Sequence, residues 1–217
     1  MAGALALPVA AKAGGFARDV LEQAIAARGG RARIARIKAL NWTGKAIVAI
    51  ADDKTLEIRV KTRVEPFGRA RSESWIPASP DPTPRTMTIR PEGGFVDYKG
   101  IRRALPAAQT EHERQQYAIY GYMLYARAPA EFRMGAITTQ REDLPRMLWF
   151  PDGITDDIQS GVYEVTNPEG TGIIEELITF SGDLVDKGIH WPQTIVIAQH
   201  QKPYFTLALD SFSVELA

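Results

Sequence analysis

Residues that alternate between apolar and polar side chains dominate the chain from residue 41 onward. In 42–50 and 56–61 every second position is small or apolar, and the positions between include Thr, Lys, Glu and Arg. A period of two is typical of a strand with one buried and one solvated face. Further strand-like segments lie between turns in 69–75, 87–89, 95–99, 133–139, 146–150, 161–166, 173–181, 193–199 and 204–216. Short strands joined by turns predict an antiparallel meander or barrel, since the crossover helices of a parallel sheet are missing.

The segment before these strands is predicted to be helical. Apolar residues in 14–28 recur every three to five positions, which is typical of an amphipathic helix. Gly29 and Gly30 then end or bend this helix. In 31–40 isoleucine or leucine recurs at every third position among basic residues. We therefore expect a second helical segment there, with a solvated basic face.

A third helix is predicted to interrupt the strands at 106–128. Its first half is polar and its second half is apolar. Thr110 fits an N-cap with Glu113 at the capping-box position, and Pro129 ends the helix. One face then carries Tyr117, Tyr120, Gly121 and Leu124, at spacings of three and four.

The first residues of the chain are typical of an export signal. Residues 1–13 (MAGALALPVAAKA) are almost all small and apolar, and 11–13 fit the A-x-A pattern of a signal-peptidase site. The basic segment that opens most signal peptides is missing, so an unstructured alanine-rich leader is the alternative interpretation. We expect an exported chain in which 14–217 forms a single domain. No other stretch approaches the ~20 apolar residues of a membrane helix.

Composition narrows the function further. The 217 residues carry 26 Lys and Arg against 26 Asp and Glu, so the formal net charge is zero. A general nucleic-acid binder needs an excess of basic residues for the phosphates, so no nucleic-acid partner is expected. The chain has no cysteine and three histidines. This excludes disulfides and thiol chemistry and leaves little material for a metal site.

Sequence motifs of common enzyme classes are missing. The chain has no G-x-S-x-G elbow, P-loop, dinucleotide-binding glycine motif or H-E-x-x-H. Glu111, His112 and Glu113 form the densest titratable cluster, but consecutive residues of a helix point in different directions. We interpret them as the solvated start of the third helix. No catalytic residue, no metal and no cofactor is expected.

Two stretches of the sequence resemble one known family. Residues 28–44 (RGGRARIARIKALNWTG) look like the opening of LolA/LolB-like periplasmic proteins, where a helix, a glycine break and a turn lead into the first strand. Residues 188–195 (GIHWPQTI), 202–210 (KPYFTLALD) and 212–214 (FSV) are similar to the end of that family. The order of predicted elements is similar over the whole chain.

The resemblance implies an α+β, mainly β fold: an unclosed, strongly curved antiparallel half-barrel. An N-terminal helix and an inserted lid helix would cover its concave face, which in the family holds acyl chains. The implied function is a soluble periplasmic carrier whose partners are a lipid or an acylated lipoprotein, together with a membrane donor or acceptor protein. A monomer is expected. Burying about 0.8 kcal/mol per CH₂ group supplies affinity without catalysis.

Nine residues are predicted to face this ligand: Trp42, Ile58, Trp75, Phe95, Tyr117, Tyr120, Leu124, Met147 and Trp149. The tyrosines and the strand tryptophans also fit a filled core, because alternation does not distinguish a hollow interior from a filled one. The resemblance also implies an arginine that holds the lid through hydrogen bonds. Arg63 is the best match, and Arg69 and Arg71 are alternatives.

Two other functions stay open. One is an envelope sensing or scaffold module of the same fold, with a filled core and a protein partner. The other is a hydrolase on an antiparallel barrel, which predicts titratable residues with perturbed pKa values clustered inside the cavity. The interior candidates in the sequence are mostly aromatic and aliphatic, which favours the carrier.

Overall fold

The structure is a computed structural model that describes residues 19–51, 54–133, 136–151 and 158–217. The predicted leader, 1–13, and the start of the predicted first helix lie outside these residues. Helix α1 occupies 19–27, α2 spans Arg31–Ala35 and α3 spans Ala107–Tyr122. Within the described part of the chain, no helix is long and apolar enough to cross a bilayer.

Thirteen of the described strands form one antiparallel sheet. In chain order the strands are β1 (Ile37–Ala51), β2 (Lys54–Val64), β3 (Ala70–Trp75), β4 (Arg85–Arg90), β5 (Gly93–Tyr98), β6 (Ile101–Ala104), β7 (Ala130–Arg133), β8 (Ala136–Thr139), β9 (Met147–Pro151), β10 (Ile158–Thr166), β11 (Ile173–Ser181), β12 (Leu184–Asp186), β13 (Ile189–Trp191), β14 (Thr194–Gln199) and β15 (Lys202–Leu216). Their order across the large sheet is β6-β5-β4-β3-β2-β1-β15-β14-β11-β10-β9-β8-β7, and β12 and β13 form a separate hairpin.

The large sheet does not close into a barrel. Its two outermost strands, β6 and β7, are not neighbours in the sheet order. Strand β1 lies near the centre, and Trp42 pairs with Thr62 of β2 on one side and with Phe212 of β15 on the other. One helix, α3, is inserted between the two halves of the strand sequence. The predicted mainly β, unclosed antiparallel half-barrel with an inserted helix is confirmed.

The core lies between the concave face of the sheet and the helices. Alternate residues of the strands point inward, as in β11, where Ile178 and Phe180 are buried and Leu177 and Thr179 are exposed. The segment that ends α3 is completely enclosed, since Tyr122, Met123 and Leu124 expose none of their surface. Its burial fixes the C-terminal end of α3 inside the half-barrel.

Polar contacts fix the position of α3 against strand β10. His112 Nδ1 lies 2.8 Å from the backbone oxygen of Thr166, which can only accept. The backbone N–H of Thr166 in turn donates to Gln115 Oε1 at 2.6 Å. These two bonds pair the backbone C=O and N–H of Thr166, at the end of β10, with side chains of α3. The helix therefore satisfies backbone groups that a neighbouring strand would otherwise pair.

The predicted helical segment 31–40 is helical in its first half and becomes a strand in its second half. Helix α2 ends at Ala35, and β1 begins at Ile37. Ile37 and Leu40 are buried as residues of this strand, and Ala39 between them is also fully buried. A three-residue spacing of apolar side chains fits a helix and a strand entry equally well over so short a stretch. Pairing with the distant strand β15 decides between them.

The predicted start and end of α3 also need correction. The helix begins at Ala107, with Pro106 as its N-cap residue, and its last helical residue is Tyr122. Thr110 is therefore in the first turn, and its backbone N–H donates to the Pro106 oxygen at 2.8 Å. Proline fits this position because its fixed φ starts a helix without a donor. The predicted strand 133–139 is divided between β7 and β8.

Candidate ligand-binding cavity

A cavity of about 260 Å³ lies between α3 and the concave face of the sheet. Its walls come from six strands and from α3, so the two halves of the sheet meet around it. The residues that line it are Trp42, Val48, Ile58, Val60, Thr62, Ser72, Ser74, Arg85, Met87, His112, Glu113, Gln116, Tyr117, Tyr120, Ile197, Tyr204, Phe205 and Leu207. Most of these side chains are apolar or aromatic, which is typical of a small-molecule site.

Strand register determines which residues form the sheet side of the cavity. Trp42 pairs with Thr62, Thr62 with Ser72, and Ser72 with Met87, so four strands contribute one inward row. Small hydroxyl side chains occupy the middle of this row, where Thr62 Oγ1 and Ser72 Oγ are 2.8 Å apart and share a hydrogen bond. Short residues between larger ones leave the hollow that α3 covers.

Helical spacing determines which residues of α3 form the other side of the cavity. Glu113, Gln116, Tyr117 and Tyr120 stand at positions i, i+3, i+4 and i+7 and form one face of α3. The ring of Tyr120 packs against Trp42, with 4.7 Å between the ring centroids. The Tyr117 hydroxyl interacts with the Ser72 side chain on β3. These two contacts join the helix directly to the sheet across the cavity.

Glu113 is the acidic group of the cavity wall. Its half-buried side chain forms no hydrogen bond or ion pair with the described residues. Loss of hydration raises the pKa of Glu113 to about 7, the positive charge of Arg85 opposes this rise, and the Glu176 carboxyl adds to it. Desolvation therefore outweighs the attraction of Arg85, which is exposed at the edge of the cavity.

Glu176 is a second acid, placed behind Gln116. It is fully buried on β11. Its Oε1 accepts from Gln116 Nε2 at 2.6 Å and from Gln199 Nε2 at 2.8 Å, whereas its Oε2 is buried without a partner in the described structure. Burial raises the pKa of Glu176, and the two amide donors oppose that rise. An unpaired buried carboxylate oxygen is costly, so this acid needs a proton or a further donor.

The fold was compared with known proteins. No protein-family profile matches the chain, and no curated protein matches it in sequence. Solved structures that match its fold include three that are similar over nearly the whole chain. A DUF1329 family protein from Desulfovibrio piger has a TM-score of 0.55 at 10% identity, covering 92% of this chain and 93% of that one. A LolA superfamily protein from Nitrosomonas europaea has a TM-score of 0.53 at 10% identity, covering 93% and 94%. The fold is LolA-like.

A domain from Vibrio parahaemolyticus assigned to outer membrane lipoprotein sorting is also similar, with a TM-score of 0.52 at 9% identity and 93% of each chain covered. Identities this low establish the LolA-like fold alone. The match runs over nearly the whole chain, so the N-terminal and C-terminal sheet halves and α3 belong to one common arrangement.

The LolA-like fold brings together four of the nine residues predicted to face a ligand. Trp42 and Ile58 line the cavity from the sheet, and Tyr117 and Tyr120 line it from α3. Leu124, Met147 and Trp149 are fully buried core residues elsewhere in the half-barrel and do not line this cavity. Trp75 ends β3 and Phe95 lies in β5, and neither reaches the cavity.

Arg63 points away from α3 in this LolA-like structure. Its guanidinium donates to Glu215 on β15 and to Glu65 just after β2, at 2.7 to 2.9 Å. These bonds hold the pKa of Arg63 well above its usual range. Arg63 therefore joins β2 to strand β15 across β1 in the described conformation, and any hold on the lid would need another conformation of the side chain.

Two other arginines hold the α3 segment, and neither is among the residues predicted from the sequence. Arg114 donates to Glu111 on its own helix, to the Asp143 carboxylate at 3.1 Å and to the Asp143 backbone oxygen at 2.6 Å. Arg127 donates to the backbone oxygens of Ala35 and Ile37. Arg114 bonds α3 to a loop, and Arg127 bonds the segment after α3 to the end of α2 and the start of β1. No motif in the sequence indicates these contacts.

Proposed function

We propose that this protein binds a hydrophobic ligand, a lipid or the acyl chain of a lipoprotein, between the sheet and α3 and carries it through the periplasm. The observation that supports this function is the cavity itself, which has apolar and aromatic walls from both halves of the sheet and a helix as its cover. Removing apolar surface from water supplies about 0.8 kcal/mol per CH₂ group, so an acyl chain binds without any chemical step. The protein then acts as a carrier and not as an enzyme.

Cavity size supports a role for α3 as a movable lid. The volume of about 260 Å³ lies just below the range of roughly 300–1,000 Å³ that is typical of ligand pockets. A long acyl chain needs more room than this, so α3 has to shift when the chain enters. The helix covers the apolar face when the cavity is empty, since a large exposed apolar patch promotes aggregation.

Replacing Arg114 with glutamine is expected to loosen the lid. The change removes the bonds from α3 to Asp143, a loss of about 1 kcal/mol that corresponds to roughly fivefold faster amide hydrogen exchange in α3. Hydrogen exchange followed by mass spectrometry measures this directly. Arg146→Gln, an exposed position at the end of the same loop, is the control. Equal exchange in the two variants would show that Arg114 does not hold the helix.

Filling the cavity is expected to abolish ligand retention. Ser74 faces inward on β3, opposite Val60 and Arg85, and lines the cavity. Ser74→Phe places a ring in the hollow, whereas Ser74→Ala leaves the volume free. Protein purified from a bacterial envelope is analysed by native mass spectrometry, followed by organic extraction and lipid identification. We expect a stoichiometric lipid on wild type and Ser74→Ala, and on Ser74→Phe a loss of about tenfold or more.

The outcome that contradicts a carrier is equally clear. A bare protein mass in wild type, with no uptake of added phospholipid or acylated peptide, would favour an interaction module with a filled core and a protein partner. One observation favours that second function: Trp149, Trp191 and Tyr163 are completely buried and fill much of the half-barrel. The same experiment, followed by capture of the purified protein on acceptor membranes, also tests for a partner in the membrane.

A further inference from the structure

One end of the cavity carries a carboxyl group that the binding of an acyl chain does not require. Glu113 faces the hollow from α3 and forms no hydrogen bond or ion pair with the described residues. Just behind Gln116, the fully buried Glu176 keeps its Oε2 without a partner. Both groups are acceptors when ionised, so the described residues leave two carboxyl groups at this end short of donors.

Aromatic rings surround the same end of the cavity. Tyr117 and Tyr120 follow Glu113 on the same face of α3, Trp42 packs against Tyr120, and Tyr204 lines the cavity from β15. Burial and the neighbouring acids raise the pKa of Tyr204 to about 12, and they raise the pKa of Tyr117 and Tyr120 further, so all three remain neutral. Neutral aromatic faces attract a cation within about 6 Å of the ring centre.

We propose, building on the hydrophobic-ligand function above, that the ligand is an amphiphile with a protonated amine at its polar end, held by Glu113 among these rings. The tail then lies along the apolar strand residues, which include Ile58, Val60 and Leu207. An ammonium group supplies up to three donors, and an unpaired carboxylate in a desolvated site gains most from a charged donor. Gln116, which also lines the cavity, already donates to Glu176.

The charged groups around Glu113 favour a cation over an anion. Arg85 on β4 is the basic group of the cavity wall, and it is exposed at the edge. His112 is buried, bonded to Thr166 and has a pKa lowered by burial, so it adds no charge near neutral pH. Glu113 faces the hollow, whereas Arg85 is exposed to solvent at its edge, where water screens its charge. The raised pKa of Glu113 shows that Arg85 does not compensate for the lost hydration.

Three probes with the same eight-carbon chain test this inference at pH 8: octylammonium, 1-octanol and octanoate. Calorimetric titration of the full chain gives their dissociation constants. We expect octylammonium to bind about tenfold more tightly than octanol, and octanoate to bind most weakly. Glu113→Gln should abolish the preference for octylammonium over octanol. Glu164→Gln, the same change at an exposed position of β10, should keep the preference.

The possible results separate this inference from the function it rests on. Equal binding of octylammonium and octanol overturns the proposal that one end of the cavity binds an amine. It leaves the proposal of a hydrophobic binding site intact. Tighter binding of octanoate also overturns it and assigns the polar end of the ligand to Arg85. No binding of any of the three probes, with the protein folded, contradicts both proposals. An amine preference that persists in Glu113→Gln places the cation elsewhere and overturns the inference as well.

Discussion

Glu113→Gln is expected to stabilise the ligand-free protein by about 3 kcal/mol at pH 8 and to leave its stability nearly unchanged at pH 4. The pKa of Glu113 is about 7 in the folded protein and 4.5 in its ordinary state. A raised pKa means that the folded state binds the proton more tightly. Its contribution to stability is therefore present below pH 4.5 and is lost as the pH rises through 7. Glutamine does not titrate, so the variant avoids this loss.

Urea denaturation at a series of pH values measures the effect as the difference between the two proteins. The other titrating groups, including Glu176, are present in both, so their contributions largely cancel. Glu164→Gln is the matched control, with an expected change within about 0.5 kcal/mol at every pH because its side chain is solvated. A difference for Glu113→Gln that is the same at pH 4 and pH 8 would show that this carboxyl is not destabilised by burial.

Trp149→Ala is expected to destabilise the protein by about 3–5 kcal/mol. The side chain is completely buried, and its ring lies edge-on to Tyr125 at 5.2 Å and to Phe180 at 6.3 Å between centroids. Its Nε1–H donates to Thr139 Oγ1 at 3.0 Å. Alanine leaves a large void and removes the partner of a buried hydroxyl, and the strands around it cannot collapse to fill the space.

The same denaturation experiment measures this loss. Trp75→Ala is the control, because Trp75 is only half-buried at the end of β3. We expect it to cost far less than Trp149→Ala. A loss below about 1 kcal/mol for Trp149→Ala, together with weaker ligand binding, would place Trp149 in a ligand site and not in the core.

The sequence predicts those elements of the fold that depend on residues close together along the chain. Alternation in 173–181 coincides with β11, and the polar-then-apolar segment that begins at 106 contains α3. The strand entry at Ile37 was missed, because only the pairing of β1 with a strand some 170 residues away settles it. Register between distant strands, and with it the hollow under α3, is a property of the folded sheet and not of any local pattern.

The two acids of the site show what a local pattern does and does not reveal. Glu176 stands in the inward series of β11 with Ile178 and Phe180, so an acid at an apolar position of an alternating strand was a readable signal. Glu113 was assigned to a capping box at Thr110, and the helix start at Ala107 instead places it on the cavity face. The spacing of four and seven residues from Glu113 to Tyr117 and Tyr120 already placed it on their face of the helix, and the capping-box assignment hid this signal.

Strand β15 connects the two halves of the large sheet. It pairs with β1 on one side and with β14 on the other, and no other strand of the described sheet connects β6–β1 to β14–β7. The contacts it makes join residues as far apart as Ile37 and Leu216. Contacts at such long sequence separation form slowly. Until β15 docks, each half of the sheet has an unpaired central edge that invites association with other chains. A chain in which β15 has not docked therefore exposes two strand edges that the native sheet pairs.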